Sequence, residues 1–234
     1  MKKMNAALFT LFIGGGICIA FAQKTNANDD FAKVNKSANC EFVSSGKNDY
    51  FILEPGYQEI LEGGSEKKKS KLVITVLNET KKVGDVETRV VEENESLNGE
   101  PVEISRNYFA VCKQTNAIYY FGEDVDIYKN GKVVNHNDSW LAVGKNKPGI
   151  QMPGKIVLGD KYYQEIAPKV AMDRAEILSN KEIFETPAGK FENVLKTKET
   201  TPLDPLEKEF KLYAPGVGLI QDENMLLVKY GYVK

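Results

Sequence analysis

The sequence predicts an all-β, mainly antiparallel protein: a strongly curled sheet forming a half-open barrel or a two-layer sandwich, with little helix. Three observations carry this expectation. From about Tyr50 to the C-terminus, short apolar alternations are broken by Gly, Asn, Asp and Pro. Asn98-Gly99 and Asn130-Gly131 stand between strand-like runs, and an Asn-Gly pair is a strong hairpin signal. Apolar residues nowhere recur at helical spacing for longer than about two turns. Roughly ten to twelve strands are expected, enough to force a sheet to curl or to split into two packed layers.

The N-terminus reads as an export signal over residues 1–22. Lys2 and Lys3 precede an apolar run from Ala6 to Ala22, and Ala20-Phe21-Ala22 supplies small residues for cleavage after Ala22. The run is short for a spanning helix, and Gly14-Gly15-Gly16 would weaken one. No stable transmembrane anchor is therefore expected after processing. Ile17 before Cys18 argues against a lipid-modified N-terminus. The expected location is periplasmic or secreted.

Residues 23–49 form a leader whose first part, rich in Asn, Lys, Asp and Ala, has no periodicity and reads as flexible. Residues 50–234 then form a single antiparallel β domain. Once Cys18 leaves with the signal, Cys40 and Cys112 remain. They form either a disulfide or two free thiols, and an exported compartment favours the bridge.

Strand-like runs follow in order. Lys71 to Leu77 is β-branched and strand-like; Val86 to Glu95 and Val102 to Cys112 flank the Asn98-Gly99 turn. Ala117 to Phe121 and Val125 to Tyr128 come next, with Gly122-Glu123-Asp124-Val125-Asp126 between them. That tract reads as a charged hairpin turn. Calcium is the alternative, although Tyr128 stands where an EF-hand loop needs a third Asp or Asn. Lys161 to Ile166, Ala171 to Leu178, Phe191 to Thr200, Lys208 to Tyr213 and Met225 to Val233 complete the series. The best helix candidate is Pro168 to Leu178, because Val170, Ala171, Ile177 and Leu178 would share a face; the strand reading stays open beside it.

Composition excludes several chemistries. The net charge is −2 and no basic stripe is present, which argues against nucleic acid as a partner. The basic run Lys67-Lys68-Lys69-Ser70-Lys71 reads as a solvated turn entering a strand. A single histidine, His136, sits in a turn-like setting and does not make a His-based zinc site or a Ser-His-Asp triad. There is no Gly-x-Ser-x-Gly elbow and no phosphate-cradling loop. No catalytic set, metal site or cofactor is expected. Carboxylates are the remaining candidates, above all Glu165 after Tyr162-Tyr163-Gln164, and Asp173 after Ala171-Met172. Carboxylates in apolar or aromatic surroundings tend to be paired, hydrogen-bonded or shifted in pKa.

The span from Asn135 to Lys155 is long for a loop, rich in Gly, and carries Trp140, the only tryptophan, with Leu141, Val143, Ile150 and Met152. Residues of that kind can bury surface, so the loop is expected to be ordered and packed at the open end of the β scaffold. Trp140 is then either a cork that seals the core or the wall of a ligand site.

Tyr120-Phe121-Gly122-Glu123, Ser139-Trp140, Pro148 to Pro153, Gly159 to Glu165 and Ala171-Met172-Asp173 resemble a family of exported bacterial proteins. Thr186 to Phe191 and Tyr213 to Leu219 fit it too. That family has no established activity, so the resemblance implies no mechanism. Its architecture is similar to the half-open barrels of periplasmic lipoprotein carriers, which enclose an apolar cavity.

The function expected from these readings is a non-enzymatic carrier or binding module outside the cytoplasm. It would hold an apolar or amphipathic small molecule or lipid in a β-lined cavity closed by the Trp140 loop. Trp140, Ile150, Met152, Tyr163, Glu165 and Asp173 are its candidate ligand-binding residues. The alternatives are a hydrolase of a glycan or envelope polymer using Glu165 and Asp173, and a structural cell-envelope protein.

Overall fold

A computed structural model describes residue 31 and residues 40–233, so the expected signal peptide and most of the leader lie outside the described residues. The arm is fixed first. Cys40 is disulfide-bonded to Cys112, 72 residues away, with the two Cα atoms 5.1 Å apart. A cross-link closing so long a loop stabilises by about 4 kcal/mol in the chain-entropy account. Beside it, β1 (Phe42–Val43) is the first strand. A two-stranded hairpin follows, β2 (Gly46–Asn48) and β3 (Phe51–Leu53), forming a small sheet of its own.

The remaining strands and β1 make one antiparallel sheet of sixteen. Four long strands form its back: β4 (Tyr57–Ser65), β5 (Lys68–Val83), β6 (Val86–Leu97) and β7 (Glu100–Cys112). β1 lies along β7, pairing Phe42 with Cys112. β8 (Ile118–Lys129) continues the meander and turns through Asn130-Gly131 into β9 (Lys132–Asn135). In the β6–β7 turn Asn98 and Gly99 have φ of 54° and 87°, and in the β8–β9 turn Asn130 and Gly131 have 53° and 70°. A two-residue hairpin of this hand needs positive φ at both central positions, which Asn-Gly supplies at least cost.

After β10 (Trp140–Leu141), β11 (Lys147–Met152), β12 (Lys161–Tyr163) and β13 (Glu165–Ile166) come three longer strands and two shorter ones. These are β14 (Arg174–Thr186), β15 (Gly189–Thr200), β16 (Glu209–Ala214), β17 (Gly218–Asp222) and β18 (Met225–Tyr232), the last pairing with β4. Starting from β4, the sheet thus runs one way through β8 to β11 and β13, and the other way through β18 to β14 and β12. Since β12 and β13 are consecutive, this segment brings the two edges together and the sheet is a nearly closed barrel. Leu61, Leu72, Ile118, Leu195, Ile220 and Leu227 are fully buried, each worth roughly 1.5–3 kcal/mol against exposure.

The all-β expectation is met, with four local corrections. The two runs expected at 117–121 and 125–128 are one strand, β8. Its acidic centre is not a turn: Glu123 and Asp124 pair with Asn107 and Arg106 on β7, and a register shift between Asn107 and Phe109 absorbs the irregularity. Pro168 to Leu178 forms no helix. From Arg174 onward the chain pairs on both sides, with β12 and with β15, and Ala175 and Ile177 are buried at the period of two that a strand requires. The span 135–155 is not one irregular loop, because Trp140–Leu141 and Lys147–Met152 both pair with β8. Finally, the strands outnumber the expected ten to twelve, since short pairings such as β10, β13 and β17 leave little trace in apolar alternation.

Candidate functional site

Trp140 owes its position to a glycine. It stands opposite Glu123 on β8, with Leu141 opposite Gly122. Gly122 has φ of 134°, and a Cβ there would meet the Trp140 carbonyl oxygen at 2.3 Å. Without a side chain at 122, the tryptophan strand lies flush on β8. The indole is 5% exposed and meets the Tyr120 ring edge-on, with centroids 5.3 Å apart. Tyr120 stacks on Phe109 at 4.8 Å and donates its hydroxyl proton to Asn107 Oδ1 at 2.6 Å.

Phe109 and Tyr120 border inner voids, and Glu123, opposite Trp140, lines a third. The largest, about 440 Å³, opens to solvent. Glu123, Asp138, Asp173, Asp204 and Glu207 bring carboxylates to it; Val170, Ala171 and Leu203 form an apolar wall, and Lys169 is the one cation among its described lining residues. Deeper in lies a chamber of about 10 Å³ lined by Asn107, Tyr120, Gln164, Glu165, Glu199 and Lys211. Beyond it, a chamber of about 50 Å³ is bordered by Tyr57, Glu59, Glu93 and Tyr213 and by apolar residues of β3, β5 and β6. Phe109, Gln151 and Lys211 belong to both inner chambers. Their volumes suit one to a few water molecules; the mouth lies in the size range of small-molecule sites.

The barrel interior carries several buried carboxyl groups. Burial pushes the Glu123 carboxyl up to about 7, against the lowering influence of the Tyr120 hydroxyl and the Trp140 indole beside it. The indole N–H nevertheless completes no hydrogen bond of good geometry, and Gln164 Oε1 is a second buried atom without a partner. Glu165 is 1% exposed and accepts the Asp173 backbone N–H at 2.6 Å. Burial, reinforced by the Asp173 charge, holds its carboxyl well above the usual range. Burial also raises Glu59 and Glu103 to about 8, despite the Leu219 N–H donated to Glu59 Oε1 at 2.9 Å. Lys211, the only buried lysine among the described residues, is paired with Glu199.

The six residues singled out in the sequence are not one constellation. Trp140 packs above Glu123, while Ile150 and Met152 are core residues, 4% and 1% exposed. Tyr163 turns to the Phe31 ring, 6.2 Å away, which Arg174 and Lys161 also approach. Glu165 and Asp173 are joined through a backbone hydrogen bond but line different voids, Asp173 the mouth and Glu165 the chamber beneath it. His136 is exposed beside Asp126, with Nδ1 at 2.8 Å from its carboxylate. No group of three or more His, Cys, Asp or Glu is arranged to hold a metal among the described residues.

Sequence reasoning missed Glu59, Glu93, Glu199 and Lys211. Some were visible as carboxylates in phase with apolar neighbours: Tyr57-Glu59-Leu61 on β4 and Leu195-Thr197-Glu199 on β15 each share one buried face. The mouth residues had no such signal, because Asp138 comes from the turn before β10 and Asp204 and Glu207 from the loop between β15 and β16. Comparison with known protein families, curated proteins and solved structures finds no match to this chain.

Proposed function

We propose that the protein is an exported, non-enzymatic binding module that holds an amphipathic cation, such as an alkylammonium, in the acidic mouth beside Trp140. One observation carries this reading: the mouth of about 440 Å³ sets carboxylates against an apolar wall of Val170, Ala171 and Leu203. Charge attraction at a partly desolvated floor favours a cation, and the wall favours an alkyl chain. A lipid buried along the barrel axis is not supported, since the inner chambers total only a few water volumes. Export is supported by the charged and apolar N-terminus with its Ala20-Phe21-Ala22 site, and by the Cys40–Cys112 bridge, which suits an oxidising compartment. No helix among the described residues is long and apolar enough to cross a membrane.

The test uses three probes of one chain length: n-octylammonium, n-octanol and n-octanoate. Binding is followed by calorimetry and by Trp140 emission, which reports unambiguously because no other tryptophan exists. Octylammonium is expected to bind and shift the emission, with octanol weaker and octanoate excluded. Equal binding of all three, or none, ends the proposal.

A further inference from the structure

Lys169 is the one cation among the described residues that line the mouth. Its ammonium makes no ion pair or hydrogen bond with any described residue, although carboxylates line the same void. It stands on a tight turn in which Ala167 and Ala171 exchange backbone hydrogen bonds of 2.7 and 2.9 Å. The Val170 N–H also donates to the Ala167 carbonyl, at 2.9 Å. The next two residues after the lysine, Val170 and Ala171, belong to the apolar wall.

The turn does not account for a lysine. Lys169 has φ of 74°, in the left-handed region that disfavours a Cβ. Of the six non-glycine residues with positive φ among those described, four are asparagine, and only Lys169 and Glu223 are neither. Glycine or asparagine would form this turn with less strain. What the lysine adds is an unpaired positive charge at the rim of a void, and strained residues of this kind gather at ligand sites.

Depth separates the two signs of charge. Glu123, on the acidic side, is 3% exposed, whereas Lys169 is exposed. The mouth of about 440 Å³ also equals about fifteen water volumes of roughly 30 Å³ each. An octyl chain with a bare ammonium head leaves much of that space unfilled.

We infer that the ligand is a zwitterionic amphiphile, with its ammonium at the acidic floor and its anionic group, a short spacer further out, against Lys169. This rests on the binding reading above and narrows its ligand class. Lys169 is then a specificity-determining residue, favouring an anion that arrives on the same molecule as the ammonium. An ion pair at an exposed lysine is modest, so the gain over a simple cation is about three- to fivefold and shrinks as salt is raised.

Three probes test this by titration calorimetry: n-octylammonium, N-octyltaurine and octylpropylammonium. N-octyltaurine keeps the chain and the protonated nitrogen and adds a sulfonate on a short spacer; octylpropylammonium adds similar bulk without the charge. The wild-type protein is expected to bind N-octyltaurine about three- to fivefold more tightly than either cation. Lys169→Met, which retains a side chain of similar length, is expected to lose that preference while still binding n-octylammonium. Lys169→Gly is expected to lose it as well and to melt no lower than the wild type, because the turn is relaxed. A gain for octylpropylammonium equal to that for N-octyltaurine, or a preference unchanged in Lys169→Met, overturns the inference and leaves the binding reading intact. Absence of binding by all three probes overturns the binding reading, and the inference falls with it.

Discussion

Lys211 Nζ lies 2.7 Å from Glu199 Oε2, and this ion pair is the bridge between strands β16 and β15 on the barrel's inner side. Glu199 also accepts from Gln164 Nε2 at 3.2 Å. Removing the ammonium leaves a buried carboxylate with one amide partner. Lys211→Met is therefore expected to cost about 3–5 kcal/mol in urea unfolding. The double variant Lys211→Met/Glu199→Gln, which removes both charges, is expected to recover more than half of that loss. A single variant as stable as the wild type would show that the pair contributes nothing.

The buried glutamates give stability a definite pH dependence. Glu59 and Glu103, raised to about 8, and Glu123, raised to about 7, all bind protons more tightly folded than unfolded. Their contribution is fully present below the unfolded carboxyl value and is lost as pH rises through 7 to 8. Glu176, held low by Lys198, and Asp124, held low by Lys81 and Tyr108, act oppositely and matter only in stronger acid. The melting temperature is expected to be highest near about pH 4–5 and lower by at least about 5 °C at pH 9. A flat profile across that range would contradict the burial of these groups.

Gly122 is expected to be irreplaceable for a local reason. An alanine Cβ would meet the Trp140 carbonyl oxygen at 2.3 Å and the Leu141 Cα at 2.8 Å, both backbone atoms that cannot rotate away. Gly122→Ala is expected to cost about 2–3 kcal/mol and to shift Trp140 emission to the red as β10 lifts. Gly84→Ala is the control: its φ is also positive at 58°, but nothing lies within 4 Å, so only the backbone cost of about 1–2 kcal/mol applies. Equal losses, with unchanged emission, would remove the steric explanation.

Strand identity was legible where apolar side chains alternate or an Asn-Gly pair marks a turn, as for β6, β7 and β9. It was not legible in β10 and β13, two residues each, because two positions carry no period. The mistaken acidic turn at 122–126 has a clear cause. Three carboxylates in five residues resemble a solvated hairpin, but Glu123 faces a polar interior while Asp124 faces out to Lys81 and Tyr108. Burial by a polar barrel interior is a tertiary property, and local composition cannot register it. The same holds for Lys211, flanked by Phe210, which is the exposed one of the two. For the mouth, the sequence marked Asp173 and Trp140, whereas Asp138, Asp204 and Glu207 arrive there only through the folding of distant loops.

Finally, the segment from Lys161 to Ile166 has a mechanical consequence. It holds β14 through three ladder positions and β11 through two, while no other strand among the described residues pairs across those two edges of the main sheet order. Detaching that one short run would turn the tube into a ribbon with two unsatisfied borders. Such borders template pairing with other molecules, so self-association of the partly unfolded protein is expected to begin at β11 and β14, while β4 and β18 stay zipped.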